Sequence, residues 1–141
     1  MGGADFERAW GLLQEEGYTC VLCGNDQIYT SRLRGVTPLL SWLDEGLDLQ
    51  GFSAADKVVG KAAAFLYVML GVKEVYAQVM STPAKAVLEA HHIPNGCEVE
   101  VAAIRNRTNT GFCPMETTVW EITDPLEALA AIRRKCNELN G

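Results

Sequence analysis

Apolar and polar positions repeat along this chain with two periods, and the places where one period gives way to the other mark its elements. Residues 4–16 put Phe6, Ala9, Trp10 and Leu13 on one face and Glu7, Arg8, Gln14 and Glu15 opposite, the spacing of an amphipathic helix that Gly17 ends. Residues 18–23 and 27–31 are β-rich runs separated by Gly24-Asn25-Asp26, residues that tolerate the backbone angles of a tight turn, so a β-hairpin is expected. A polar loop over 32–35 follows. Residues 36–45 then place Leu39, Leu40 and Leu43 at helical spacing, with Pro38 in the first turn.

The longest apolar run lies in residues 53–72, SAADKVVGKAAAFLYVMLGV, and the pattern predicts a single helix there. Ser53 is a natural N-cap, Asp56 sits three residues on where an acidic side chain suits a helix start, and Gly71 is the stop. From 62 to 72 nothing is charged and only Tyr67 is polar, so this half belongs to the core. Residues 73–81 read as a strand, and Thr82-Pro83 opens a helix running to about His91. Residues 98–105 alternate and then turn apolar, as in another strand, before the polar loop RNRTNTG. Residues 114–122 predict a short helix despite the strand propensity of Thr117 to Trp120, and Asp124-Pro125 caps a last helix ending near Leu139. The order αββααβαβαα indicates an α/β protein, a three-layer α/β/α sandwich around a mixed sheet of four to five strands.

With 141 residues, 48% of them hydrophobic, the expectation is one domain over residues 1–141 with a core that needs no staple. The 18 acidic and 12 basic residues leave a net charge of -6, which opposes binding to long nucleic acid or to an anionic membrane. The chain starts without the pattern of a secretory signal and has no apolar run long enough to span a bilayer, so a cytoplasmic location is expected. Five cysteines, an odd number, are expected to be thiols.

Candidate chemistry begins in the charged half of 53–72. On a helix, Lys57 and Lys61 would project from one face, with Gly60 between them permitting close approach of a ligand or of a packed neighbour. A lysine in a first turn opposes the helix dipole, so an anion should offset it, either Asp56 or Glu116 or an external phosphate or carboxylate. Arg34 and Arg105, with Arg107 as a weaker candidate, could supply guanidinium contacts to phosphate. In GFCPME, Cys113 would cap a helix opened by Pro114, a location that favours thiolate; it is the candidate nucleophile, and Glu116 the candidate acid or base. Cys20 and Cys23 have metal or redox spacing, but on a strand that separation sends them to opposite faces. His91 and His92 fit a structural role at a helix C-terminus.

The hairpin followed by helix, strand, helix and strand resembles the cytidine-deaminase-like fold, in which two helix starts carry a zinc site. That resemblance puts Ala55-Asp56-Lys57 where related enzymes have His- or Cys-x-Glu, and Pro83-Ala84-Lys85-Ala86-Val87 where they have Pro-Cys-x-x-Cys. The usual ligands are missing, so it implies a deaminase-like domain without zinc or other cofactor and without a metal-activated water. The segments SRLRGVTPLL, ADKVVGKAAA and TGFCPME together resemble a family of small uncharacterised prokaryotic proteins with this fold. The expectation is a small anionic, nucleotide-like ligand held by Lys57 and Lys61 between the starts of two helices. Asp56 and Thr82 would orient its polar groups, and Cys113 with Glu116 would close the pocket or react. The contrasting expectation is a non-catalytic regulatory or interaction module, its crevice filled by internal ion pairs, that associates with itself.

Overall fold

The computed structural model describes residues 3–106 and 111–140. Its elements are α1 (Ala4–Glu16), β1 (Cys20–Gly24), β2 (Gln27–Ser31), α2 (Thr37–Asp44), β3 (Ser53–Val59), α3 (Lys61–Leu70), β4 (Glu74–Ser81), α4 (Thr82–Ala90), β5 (Asn95–Val101), α5 (Pro114–Thr118) and α6 (Pro125–Asn140). The five strands form one mixed sheet in the order β2-β1-β3-β4-β5. β1 runs antiparallel to both β2 and β3, while β3, β4 and β5 are mutually parallel. The two parallel steps are made through α3 and α4, the crossovers such pairs require.

Helices cover both faces of the sheet. α1 packs on β1 and β3 through a small cluster of Ala9, Leu13, Val21, Cys23 and Ala55, with Phe6 and Trp10 edge-on to Tyr76. The larger core fills the other face, where α3 lies among α2, α4, α5 and α6. Cys20 belongs to this larger core and Cys23 to the cluster under α1, on opposite faces of β1. The hairpin turns through Asn25 and Asp26, both at positive φ (50° and 61°), as a two-residue turn between twisted strands requires. Gly24 precedes it against Phe52, and a Cβ there would lie 2.8 Å from that ring and 3.0 Å from its Cα. Gly24→Ala is therefore expected to cost about 1–3 kcal/mol, read as a lower urea midpoint with an unchanged slope.

The single helix expected over 53–72 is in fact a strand, a turn at Gly60 and a shorter helix. Residues 53–56 occupy the middle of the sheet and are buried on both faces, by α1 on one side and α3 on the other, so they show no alternation. Their alanines and the cap-like Ser53 imitate a helix start, but pairing with β1 and β4 overrides that local preference. Ser53 is not an N-cap; its hydroxyl donates to Glu74 Oε2 at 2.5 Å inside the core. Asp56 and Lys57 are strand residues, and Lys57 and Lys61 share no helical face.

Two boundaries also move. The N-cap of α4 is Ser81, whose Oγ accepts from the Ala84 amide at 3.2 Å, and Thr82 is already helical. β5 starts at Asn95, where pairing with Val75 begins, and ends at Val101 rather than Arg105. Arg105 instead makes an isolated bridge to Phe112. The short α5 forms at Pro114 but ends at Thr118 rather than near Ile122, and Asp124 caps α6 by accepting from the Glu127 amide at 3.0 Å. Among the described residues no helix is long and apolar enough to cross a membrane.

Candidate ligand crevice and its buried carboxyls

A crevice of about 890 Å³ opens between the β2–α2 loop, the end of β3, the 104–106 segment, α5 and the last turns of α6. It is lined by Arg34, Asp56, Lys57, Gly60, Arg105, Cys113 and Glu116, which the fold thus gathers from loops and elements far apart in sequence. Its apolar wall includes Val36, Pro38, Ala62, Ala63, Met115 and Leu139. Among the described residues neither Arg34 nor Lys57 takes part in an ion pair, and the Arg105 guanidinium lies 5.4 Å from the centre of the Phe112 ring. Arg107 lies outside the described residues.

Two expected site residues are not brought there. Lys61 is buried with its ammonium donating to the Trp120 carbonyl at 2.6 Å and lying 5.8 Å from the centre of the Phe65 ring. Burial pulls its pKa below the usual lysine value, opposed by the charges of Glu121 and Glu116. Thr82 faces β5, donating to Glu100 Oε2 at 2.8 Å and to the Val101 carbonyl at 3.3 Å. His91 is the C-cap of α4 and His92 takes φ 60°, both on the surface.

Glu116, only 2% exposed, is the junction of the crevice wall. Its Oε2 accepts from the Lys61 amide at 2.6 Å and from Ser81 Oγ at 2.5 Å, and its Oε1 from the Ile104 amide at 2.6 Å. One carboxylate thereby ties the start of α3, the N-cap of α4 and the strand-like segment after β5 to α5. Gly60, the N-cap of α3, has no side chain to cap with, and Glu116 supplies an acceptor to the Lys61 amide from 55 residues further along the chain. A Cβ at Gly60 would lie 3.1 Å from both Glu116 Oε2 and Ile104 Cγ1, so the glycine is what lets the carboxylate approach. Cys113 is the N-cap of α5, its amide held by the Ile104 carbonyl at 2.8 Å, and its side chain makes no capping bond.

Asp56 is the second buried carboxyl. Its Oδ2 accepts from the Tyr67 hydroxyl at 2.6 Å and its Oδ1 from the Val58 amide at 3.2 Å, while Tyr67 Oη lies 3.2 Å from Cys20 Sγ. Burial raises the Asp56 pKa from 3.8 to about 7, and the hydrogen bonds from Tyr67, Val58, Lys57 and Cys20 recover only part of that. Burial, followed by the nearby Asp56 charge, pushes both Cys20 and Tyr67 well up, so they stay protonated. Burial also raises the Cys136 thiol at the crevice edge. Tyr67, Cys20 and Ser81 are the residues of this network that sequence reasoning did not assign to the site. Tyr67 carried one signal, as the sole polar residue of the apolar run. Among the described residues no group of three or more His, Cys, Asp or Glu side chains could hold a metal ion.

Residues 8–136 match the family TM1506, described as "Domain of unknown function (DUF1893)". The fold is similar to the crystal structure of a DUF1893 family protein (TM1506) from Thermotoga maritima. The TM-score is 0.86 at 22% sequence identity, covering 96% of this chain and 92% of that one, a likeness of fold alone. No curated protein matches.

Proposed function

The chain belongs to the DUF1893 family, and we propose that it is a zinc-less, cytidine-deaminase-like domain that binds a small anionic, nucleotide-like ligand in its crevice. The observation that carries this reading is the gathering of Arg34, Lys57 and Arg105 around one cavity of about 890 Å³ in a protein of net charge -6. Arg34 and Lys57, which take part in no ion pair among the described residues, repel one another, and the two carboxyls on the same wall are turned inward to Tyr67, Ser81 and backbone amides. An external anion would offset that repulsion, and guanidinium groups suit phosphate. The apolar wall and the cavity's size are those of a small-molecule site.

The anion's place differs from the one the helical reading implied. Glu116 already fills the start of α3, so the anion belongs with Arg34, Lys57 and Arg105 at the ends of the strands. The deaminase-like assignment is supported by a hairpin leading into parallel strands β3, β4 and β5, with α3 and α4 starting directly after β3 and β4. In that comparison the first zinc-motif position falls on Gly60-Lys61-Ala62 rather than on Ala55-Asp56-Lys57, and it still offers no metal ligand. Cys113 is the candidate nucleophile, whereas Glu116 gives both oxygens to internal donors and serves the walls.

A thermal-shift screen of nucleotides and sugar phosphates tests the reading. A ligand at about 100 times its Kd stabilises by about 2.7 kcal/mol, a rise of several degrees in Tm at this chain length. The rise is expected in the wild type and expected to be lost when Arg34→Ala and Lys57→Ala are combined. No stabilisation by any anion at millimolar concentration would instead favour the second reading, a non-catalytic regulatory or interaction module. The observation on its side is Glu116, an internal carboxylate already occupying one anion position.

A further inference from the structure

Three of the eight large apolar side chains that stay exposed among the described residues line this one crevice: Leu33 and Leu139, each 58% exposed, and Val58, 45% exposed. Apolar surface left uncovered at a concave site is where the apolar part of a ligand binds. Recognition of a base edge or a sugar would need polar side chains with hydrogen bonds left to give, and the polar groups of the wall are engaged elsewhere. Glu116 accepts from three internal donors, and Asp56 accepts from Tyr67 and Val58 with one oxygen turned into the core. The Thr19 hydroxyl donates to the Ser31 and Leu33 carbonyls at 3.0 and 2.5 Å, and Asn106 Oδ1 accepts from the Gly111 amide at 3.4 Å. What the described wall turns toward a ligand is mainly cationic, from Arg34, Lys57 and Arg105, or apolar.

We infer that the crevice selects its anion by the apolar body attached to it, reading neither a base edge nor sugar hydroxyls, so that aryl phosphates and nucleoside monophosphates form one class of ligand. This rests on the anion-binding reading given above and names what the anion carries. The cations fix the charged end, and guanidinium groups suit phosphate. Discrimination then falls to the other end, where burial of apolar area is non-directional and does not depend on where a ring carries its donors and acceptors. Adenine, guanine and naphthalene present similar flat faces and different edges. Ribose phosphate keeps the phosphate and the hydroxyls of a nucleotide but has no flat body, so it separates the two kinds of recognition.

Isothermal titration calorimetry at pH 8 with naphthyl phosphate, AMP, GMP and ribose phosphate tests this, all four carrying a doubly charged phosphate. The wild type is expected to bind naphthyl phosphate at least as tightly as AMP, and roughly ten- to hundredfold more tightly than ribose phosphate, the scale of burying one large apolar side chain. AMP and GMP should bind within about threefold of each other, since the edges where they differ meet no matching pair of groups. Leu33 and Leu139 are exposed, so replacing both by serine removes little packing from the fold. Leu33→Ser combined with Leu139→Ser should weaken naphthyl phosphate and AMP about tenfold and leave ribose phosphate unchanged, which also shows that the variant is folded. Naphthyl phosphate bound less tightly than AMP or no more tightly than ribose phosphate, AMP and GMP differing by about tenfold or more, or affinities untouched by the two serines would overturn this inference while leaving the anion site standing. Binding of none of the four, or binding unchanged when Arg34→Ala and Lys57→Ala are combined, would overturn both.

Discussion

Glu116→Ala is expected to destabilise the protein by about 4 kcal/mol, a large share of the 5–15 kcal/mol typical of a whole domain. The alanine leaves the Lys61 amide, the Ile104 amide and the Ser81 hydroxyl without their acceptor, in a place where Glu116 was 2% exposed. Each unsatisfied buried donor costs about 1–3 kcal/mol, partly relieved by water entering from the crevice. Glu116→Gln separates charge from shape. Its oxygen can keep the Lys61 amide and Ser81, which share Oε2, but its amino group then meets the Ile104 N–H, so about half the loss is expected. Urea denaturation of both variants measures this. A loss below 1 kcal/mol for the alanine would contradict the role of Glu116 as the junction of α3, α4 and α5.

The second large effect is a pH dependence that Asp56→Asn removes. The Asp56 carboxyl holds its proton more tightly in the folded protein, at about 7, than the ordinary value of 3.8 in the unfolded chain. Its contribution to stability is therefore fully present below about pH 4, declines as the pH rises to 7, and is gone above that. The difference between those values corresponds to roughly 4 kcal/mol. In Asp56→Asn the amide oxygen can keep the Val58 amide while the amino group donates to the Tyr67 oxygen, whose proton turns to Cys20 Sγ 3.2 Å away. The stability of the variant relative to wild type should rise by roughly 4 kcal/mol between pH 4 and pH 8. Urea midpoints across that range decide it, and a difference independent of pH would show that Asp56 is ionised throughout.

What could be read along the chain depended on whether each element's neighbours were local. α1, the hairpin, α5 and the start of α6 carry their own signals: an amphipathic face, a Gly-Asn-Asp turn, Pro114 at a first turn and Asp124 as a cap. β3 does not. Its first four residues, all buried, are Ser, Ala, Ala and Asp, and only the strands on either side make them a strand. The one local hint was Val58-Val59-Gly60, two β-branched residues and a break.

The site was legible as a set of residues more than as an arrangement. Arg34, Asp56, Lys57, Gly60, Arg105, Cys113 and Glu116 do line one crevice. Lys61 was drawn in by a helix start expected at Ser53, and Thr82 by the start of α4, which does lie there; they satisfy the Trp120 carbonyl and the β5 side instead. The bonds from Glu116 to Lys61 and from Tyr67 to Asp56 follow from how α5 and α3 pack, and no spacing in the chain announces them.

The central claim is that the crevice bounded by Arg34, Lys57 and Arg105 is where a small anion docks. Amide chemical shifts of ¹⁵N-labelled protein, followed during titration with a nucleoside monophosphate, test it by location. The account expects saturable shifts confined to the amides around Arg34, Lys57, Arg105 and Cys113. Shifts centred instead on α1 or β5, or none at millimolar nucleotide, would contradict it.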